Sequence, residues 1–154
     1  MTAKLALTAR IVGFIMRIVV AVDGSKIASR AVQYTAKLSA ALKKAPEILV
    51  VNVDEPLRGV AAELTVDSVA RYHAENGRFA LKKARSILKR AGLDYQEHLL
   101  VGDPAETILK LAKSSKCDLI VMGSHGRSAL KSLFLGSVTS KVLAHNEIPL
   151  TIVR

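Results

Sequence analysis

The chain has 154 residues, 23 Lys+Arg against 13 Asp+Glu, and a formal net charge of +10, with half of its residues apolar; this excludes intrinsic disorder and leaves room for one domain rather than two full cores. The single cysteine, Cys117, excludes an intramolecular disulfide and a multi-cysteine metal site and fits a reducing cytoplasm, and no apolar run reaches the ~20 residues of a membrane span. With no Trp, three Tyr and three Phe, the chain lacks the stacking platforms of single-strand nucleic-acid binders, so specific nucleic-acid recognition is not expected.

The segment Met1–Ile15, MTAKLALTARIVGFI, has a cation near its start and a short apolar stretch. The run Ile11–Met16 is too short for the core of a signal peptide and lacks a small-residue cleavage site. Residues 1–16 therefore read as an extension ahead of a single domain over 17–154, with Leu5, Leu7, Ile11 and Ile15 costly to leave in water. Ile18–Val22 is a continuous, β-branched apolar run ended by Asp23-Gly24-Ser25, the pattern of a strand buried on both faces. Lys26–Lys44 has helical spacing of Ala31, Tyr34, Leu38 and Leu42, and Ala45-Pro46 breaks it.

Ile48–Val53 is a second buried strand, closed by Asp54-Glu55-Pro56. A long helix is expected near Leu64–Ala91, with the apolar stripe Val66, Val69, Ala70, His73, Ala80, Ala84, Ile87, Leu88 and Ala91. Gly77 falls on that stripe, so the helix bends there or lies close to the sheet. Tyr95–Val101 is a third strand, polar at its start and so near an edge. In Gly102-Asp103-Pro104-Ala105-Glu106, Asp103 suits an N-cap, Pro104 the first helical position and Glu106 a capping box. Leu119–Met122 is a fourth buried strand. A long loop, Gly123–Gly136, leads to a helix over Ser137–His145, and Leu150–Val153 is the last strand. The basic clusters (Lys37, Lys43 and Lys44; Lys82, Lys83, Arg85, Lys89 and Arg90; Lys110, Lys113 and Lys116) lie mostly off the apolar helix faces. They read as solvated surface, with non-specific polyanion binding at low salt left open.

Strands alternating with helices imply an α/β fold, a three-layer, doubly wound, five-stranded parallel sheet with helices on both faces. The flavodoxin-like order 3-2-1-4-5 is the topology expected. Ligands in such sheets sit beyond the carboxyl ends of the strands where the winding reverses, here between strands 1 and 4. The residues at those ends are Asp23-Gly24-Ser25 and Gly123-Ser124-His125-Gly126.

The second of these opens a G-x2-G-x9-G-S pattern formed by Gly123, Gly126, Gly136 and Ser137. Glycine permits positive φ and close approach of backbone to a ligand, and a helix N-terminus favours phosphate. A side chain at Gly123 or Gly136 is expected to block that approach. Ser137 and Thr139 offer hydroxyls, and His125 and Arg127 could face a phosphate tail. The pattern is neither a Walker A loop nor a dinucleotide GxGxxG. Plain loop glycines, a solvated His125 and an Asp23 that merely caps the first helix are the competing readings.

From Arg17 to Arg154 the chain resembles the universal stress protein family, in IVVAVDGS, VVNVDEP, VGDPAETIL, CDLIVMGSHGRS and LGSVTSKVLAHNEIPLTIVR, and the glycine spacing is that of its ATP-binding subclass. The resemblance implies a flavodoxin-like fold of the adenine nucleotide alpha hydrolase type, bound ATP with Mg2+, and a homodimer joined through the edge strand Leu150, Thr151, Ile152 and Val153. Carried over by position, Asp23 would lie near the ribose and phosphates and is the residue for Mg2+. Val53 would border the adenine through its backbone. Met122, Gly123 and Gly126 would wrap the ribose and phosphates, and Gly136, Ser137 and Val138 would sit on the phosphates. Ala21 stands where many members have Pro, which loosens that edge of the pocket.

The function expected is a nucleotide-gated stress-response sensor or adaptor with no catalytic residues and at most slow ATP hydrolysis. Asp23 is the only carboxylate the pattern places at the crevice, and no Walker lysine or obvious base accompanies it. The alternatives are a slow ATPase or nucleotide-processing enzyme on the same fold, and an interaction dimer independent of nucleotide. HxGH, SGGxDS and G-x-S-x-G motifs are absent. Asp103 reads as a cap, His73 as a partly buried structural residue, and Cys117 as a small buried hydrophobe. His98 and His145 have no recognisable metal partners.

Overall fold

The computed structural model describes residues 14–57, 59, 64–127 and 135–154. Most of the extension, residues 1–13, and residues 128–134 of the glycine loop, with Ser128 of the SHGRS stretch, lie outside the described residues. The chain alternates strictly: β1 (Arg17–Ala21), α1 (Lys26–Ala41), β2 (Glu47–Asp54), α2 (Val66–Arg90), β3 (Gln96–Val101), α3 (Pro104–Ser114), β4 (Leu119–Gly123), α4 (Ser137–His145) and β5 (Leu150–Val153). All strands pair in parallel in the order β3-β2-β1-β4-β5, the flavodoxin-like arrangement the sequence implies.

Alternation along the central strands divides the core between the two faces. Ile18, Val20, Ile48 and Val50 meet Ala31 and Val32 of α1 and Leu81 and Leu88 of α2 on one side. Val19, Leu49, Val51 and Ile120 meet Ile108 and Ala112 of α3 on the other, where Met122 and Val142 of α4 extend the layer. Because both faces are covered, the central strands carry no polar alternation.

The helix ends follow their caps rather than the apolar stripes. Ser25 Oγ accepts from the Ala28 amide to start α1, Thr65 Oγ1 accepts from Ser68 to start α2, and Asp103 Oδ1 accepts from Glu106 to start α3. The stripe expected for α2 holds only in its second half, where Gly77, Ala80, Leu81, Ala84 and Leu88 are buried. Val66 is 85% exposed and Ala70 is also exposed, because the Thr65 cap and not the core fixes that end; Ala91, the C-cap, is exposed at the other. Gly77 marks close approach and no break in the helix: a Cβ there would lie 2.7 Å from Leu99 Cδ2 on β3.

Cys117 is buried, and burial pushes its thiol pKa up, which suits a core residue and not a reactive thiol. At the start of β1, the Met16 carbonyl accepts from the Glu47 amide at 2.9 Å and the Met16 side chain packs on the core. Among the described residues no helix is long and apolar enough to cross a membrane.

Candidate functional site

The connection after β1 crosses to one face of the sheet and the connection after β4 to the other, so their strand ends part and leave a crevice. A cleft of ≈ 360 Å³ opens there, within the range of small-ligand sites. All eleven residues expected at a ligand line it. Ala21 and Asp23 come from the end of β1, and Val53 from β2. Met122, Gly123, His125, Gly126 and Arg127 follow β4, and Gly136, Ser137 and Val138 open α4.

Each wall has a local cause. Asp23 does not cap α1; Ser25 does. The Asp23 carboxylate instead accepts the Ser25 amide at 2.9 Å through Oδ1 and braces the turn. Its Oδ2 faces the loop, 3.0 Å from where a Cβ on Gly126 would stand. Arg127 closes the same corner by donating from Nε to the Asp23 carbonyl at 2.7 Å. Asn52, which the sequence left without a role, is buried and donates from Nδ2 to the Val22 carbonyl at 2.9 Å, so it ties the end of β2 to that of β1.

The glycines act through space and not through φ. Among the described glycines only Gly24, Gly59 and Gly92 have positive φ. A Cβ on Gly123 would stand 2.7 Å from Ile27 Cγ2 and 3.2 Å from the Ile27 carbonyl carbon, so a side chain here would press on α1. A Cβ on Gly136 would meet the His125 backbone at 3.2 Å. The expectation that side chains at these two positions would obstruct phosphate alone is therefore corrected: they would displace protein first. Thr139 is likewise corrected as a ligand donor, since its buried hydroxyl donates to the Gly123 carbonyl at 2.9 Å.

The loop is stitched down at both ends. The Ser124 amide donates to the Val153 carbonyl of β5 at 2.8 Å, the Gly136 amide donates to the Ser124 carbonyl at 2.8 Å, and Ser124 Oγ lies 2.8 Å from His125 Nδ1. Gly136 is the N-cap of α4, and no side chain caps it. The other three helices are all capped by side chains. The amide-rich, positive end of α4 thus opens on the cleft beside Ser137, His125 and Arg127. Ala21, Val53, Ile108 and Val138, all part of one apolar cluster, supply the opposite, dry character.

Sequence reasoning placed one carboxylate here, but Asp54 and Glu55 line the cleft as well. Asp54 Oδ2 accepts from Asn76 Nδ2 at 2.9 Å and pairs with His73 Nδ1 at 2.7 Å. Burial opposes its charge. Hydrogen bonds from Asn76 and His73 and the charges of His73 and Arg127 outweigh that, and hold its pKa below the ordinary 3.8. The ionised carboxylate has no proton to give, so His73 Nδ1 carries one. Asp54-Glu55 ends its strand as Asp23 ends β1, and that parallel could have flagged it. Asn76 and His73, two turns into α2, are brought in only by the tertiary fold. Among the described residues no group of three or more metal-ligating side chains converges.

Residues 15–154 match the universal stress protein family. A universal stress protein of Thermus aquaticus, the one in the QAH/OAS sulfhydrylase 3′ region, is 37% identical over 138 residues, 89% of this chain and 97% of that one. The solved structure of protein MJ0577 superposes with a TM-score of 0.78 at 27% identity, covering 90% of this chain and 94% of that chain. A universal stress protein crystallised in complex with cAMP superposes with a TM-score of 0.63 at 28% identity, covering 91% and 97% of the two chains.

Proposed function

This chain belongs to the universal stress protein family, and from that premise we propose that it binds an adenine nucleotide, ATP with Mg2+, in the β1/β4 cleft and acts as a nucleotide-gated stress-response sensor or adaptor. The observation that carries the reading is the N-terminus of α4, which no side chain caps and which lines the same cleft as His125 and Arg127. A helix N-terminus with adjacent cations suits a phosphate tail, and the apolar cluster around Val53 and Ile108 suits a base. The related structure with cAMP supports the same ligand class.

The residues fit the group. Ser137, Val138 and the loop would hold phosphates, Met122 and Asp23 the ribose region, and Val53 the base. Asp23 is the carboxylate for Mg2+, which is commonly held by one or two carboxylates together with substrate phosphates. The nucleotide would supply the phosphate charge that neutralises this end of the cleft.

Rapid hydrolysis is not part of the proposal. A depressed pKa makes Asp54 a weak general base, and Asp23 is engaged by the Ser25 amide. The reading is tested by calorimetric titration with Mg-ATP, Mg-GTP and cAMP, and by ADP release from ATP. Adenine nucleotides should bind, ATP ahead of GTP, with turnover well under the ~10 per second of a median enzyme. No heat with any of the three would overturn the site. A turnover near that median, lost in Asp23→Ala, would favour an enzyme.

The homodimer proposed through β5 follows from its place at the sheet edge, where among the described strands Leu150, Thr151, Ile152 and Val153 pair with β4 alone. Residues 1–16 are proposed as dispensable for the cleft, since among the described residues none of its lining precedes Ala21.

A further inference from the structure

Away from the cleft, α1 and α2 lie side by side on one face of the sheet, both running from the carboxyl ends of the strands toward their amino ends. A second groove of ≈ 380 Å³ runs between them. Its rims are built at matched helical spacing: Lys26, Arg30 and Gln33 on α1, and Lys83, Ser86 and Arg90 on α2. Seven residues of each helix span about 10 Å, so the cations form a short track rather than a point. Among the described lining residues Ile87 contributes the one large apolar side chain.

Among the described residues no carboxylate lines this groove. The ion pairs of the described residues are Arg17–Glu47, His73–Asp54, Arg85–Glu97 and Lys141–Asp103, and none of them involves a groove cation. Neighbouring Arg85 shows what a structural arginine does here: it grips Glu97 with two hydrogen bonds of 2.7 Å. Arg90, by contrast, makes one 3.2 Å bond to the hydroxyl of Ser86, its neighbour one turn back. Four like charges on two facing helix rims repel one another and oppose the packing of α1 on α2. An anion lying along the track removes that repulsion.

The side chains also indicate which anion. Arg30 and Arg90 present guanidinium forks that match phosphoryl oxygens, and Lys26 and Lys83 add point charges. Among the described residues no aromatic lines the groove to offer a base a stacking surface. We propose that the α1–α2 groove binds a linear chain of phosphates without bases, an inorganic polyphosphate, along its axis. This site is separate from the nucleotide cleft, with which it shares no lining residue, and it stands whether or not the cleft reading does.

The test is a fluorescence-polarisation titration of the full chain at physiological salt with labelled inorganic polyphosphate, a single-stranded RNA of matched charge, and a poly-glutamate peptide. The proteins are wild type, Arg30→Gln/Arg90→Gln, Lys26→Gln/Lys83→Gln, and a control pair on α3, Lys110→Gln/Lys113→Gln. Thermal melting of each checks the fold. Polyphosphate should bind wild type more tightly than RNA or peptide. Each groove pair should weaken it about tenfold or more and lower its salt dependence, while the control pair stays within about twofold. Equal losses in all three pairs would make the attraction a property of the net charge and overturn the groove. Tighter binding of RNA or poly-glutamate would replace the ligand class, and no binding of polyphosphate by wild type would end the proposal.

Discussion

The carboxylate of Asp54, where β2 ends, lines the cleft and sits 2.7 Å from Nδ1 of His73 on α2, which holds it from behind the lining. The contact ties a strand end to a helix whose first turns are otherwise exposed. It also makes the fold of the cleft sensitive to acid, with a direction that can be worked out.

The folded-state pKa of Asp54 lies below its ordinary value of 3.8. Stability from this group is therefore complete above that value and is lost as pH falls through the lower, folded one. Glu97, held by Arg85, is depressed below 4.5 and acts in the same sense. Urea denaturation at a series of pH values below about 5 should show wild-type stability falling with acid. The fall should be shallower in Asp54→Asn. Identical slopes in the two proteins would remove the pair from the acid response.

Gly123 and Gly126 should separate packing from binding. Gly123→Ala puts a methyl 2.7 Å from Ile27 Cγ2, and overpacking of that kind costs about 1–3 kcal/mol. In Gly126→Ala the new methyl meets the Asp23 carboxylate at 3.0 Å. Denaturation should show the loss of stability mainly in Gly123→Ala, and calorimetry the loss of ATP affinity in Gly126→Ala. The reverse pattern would contradict these assignments.

At β5 the ladder decides which residue probes the dimer. Ile120 donates to the Pro149 carbonyl and Ser124 to the Val153 carbonyl. By strand alternation Thr151 also turns its backbone groups to β4, while Leu150 and Ile152 turn theirs to the open edge. Ile152→Pro should therefore shift the mass in light scattering from dimer toward monomer with the sheet intact. Thr151→Pro should instead damage the fold. A monomeric wild type at micromolar concentration would refute the edge pairing.

Deleting residues 1–13 should leave ATP affinity unchanged. Extending the deletion through Met16 should lower the melting temperature, because its carbonyl bonds the Glu47 amide and its side chain packs on the core. A short deletion that abolishes binding would assign the extension to the site.

Strand order, helix order and the location of the cleft were legible in the sequence because buried parallel strands announce themselves as unbroken apolar runs. The eleven residues expected at a ligand all line the cleft for a related reason: they sit at strand ends and in one glycine loop, where local pattern and position coincide. Asn52, Asp54 and Asn76 were not. Their roles rest on contacts between β1, β2 and α2 that no spacing encodes. The glycine loop shows the other failure. Gly123 sits next to a cleft yet is small on account of Ile27, on a helix nearly a hundred residues earlier, and composition alone cannot tell a ligand's clearance from a neighbour's.

The Ser124 amide bonded to the Val153 carbonyl means that the glycine loop is carried on the outermost strand of the sheet. That strand is a single file of backbone with the loop fastened to one side and, on the other, a row of donors and acceptors that no described strand pairs with. Whatever takes up that outer row restrains the strand, and through one hydrogen bond restrains the turn that leads to the N-terminus of α4. If both sites fill, occupancy of one must alter the affinity of the other by the same factor in each direction, so a second subunit would report on nucleotide as faithfully as nucleotide reports on it.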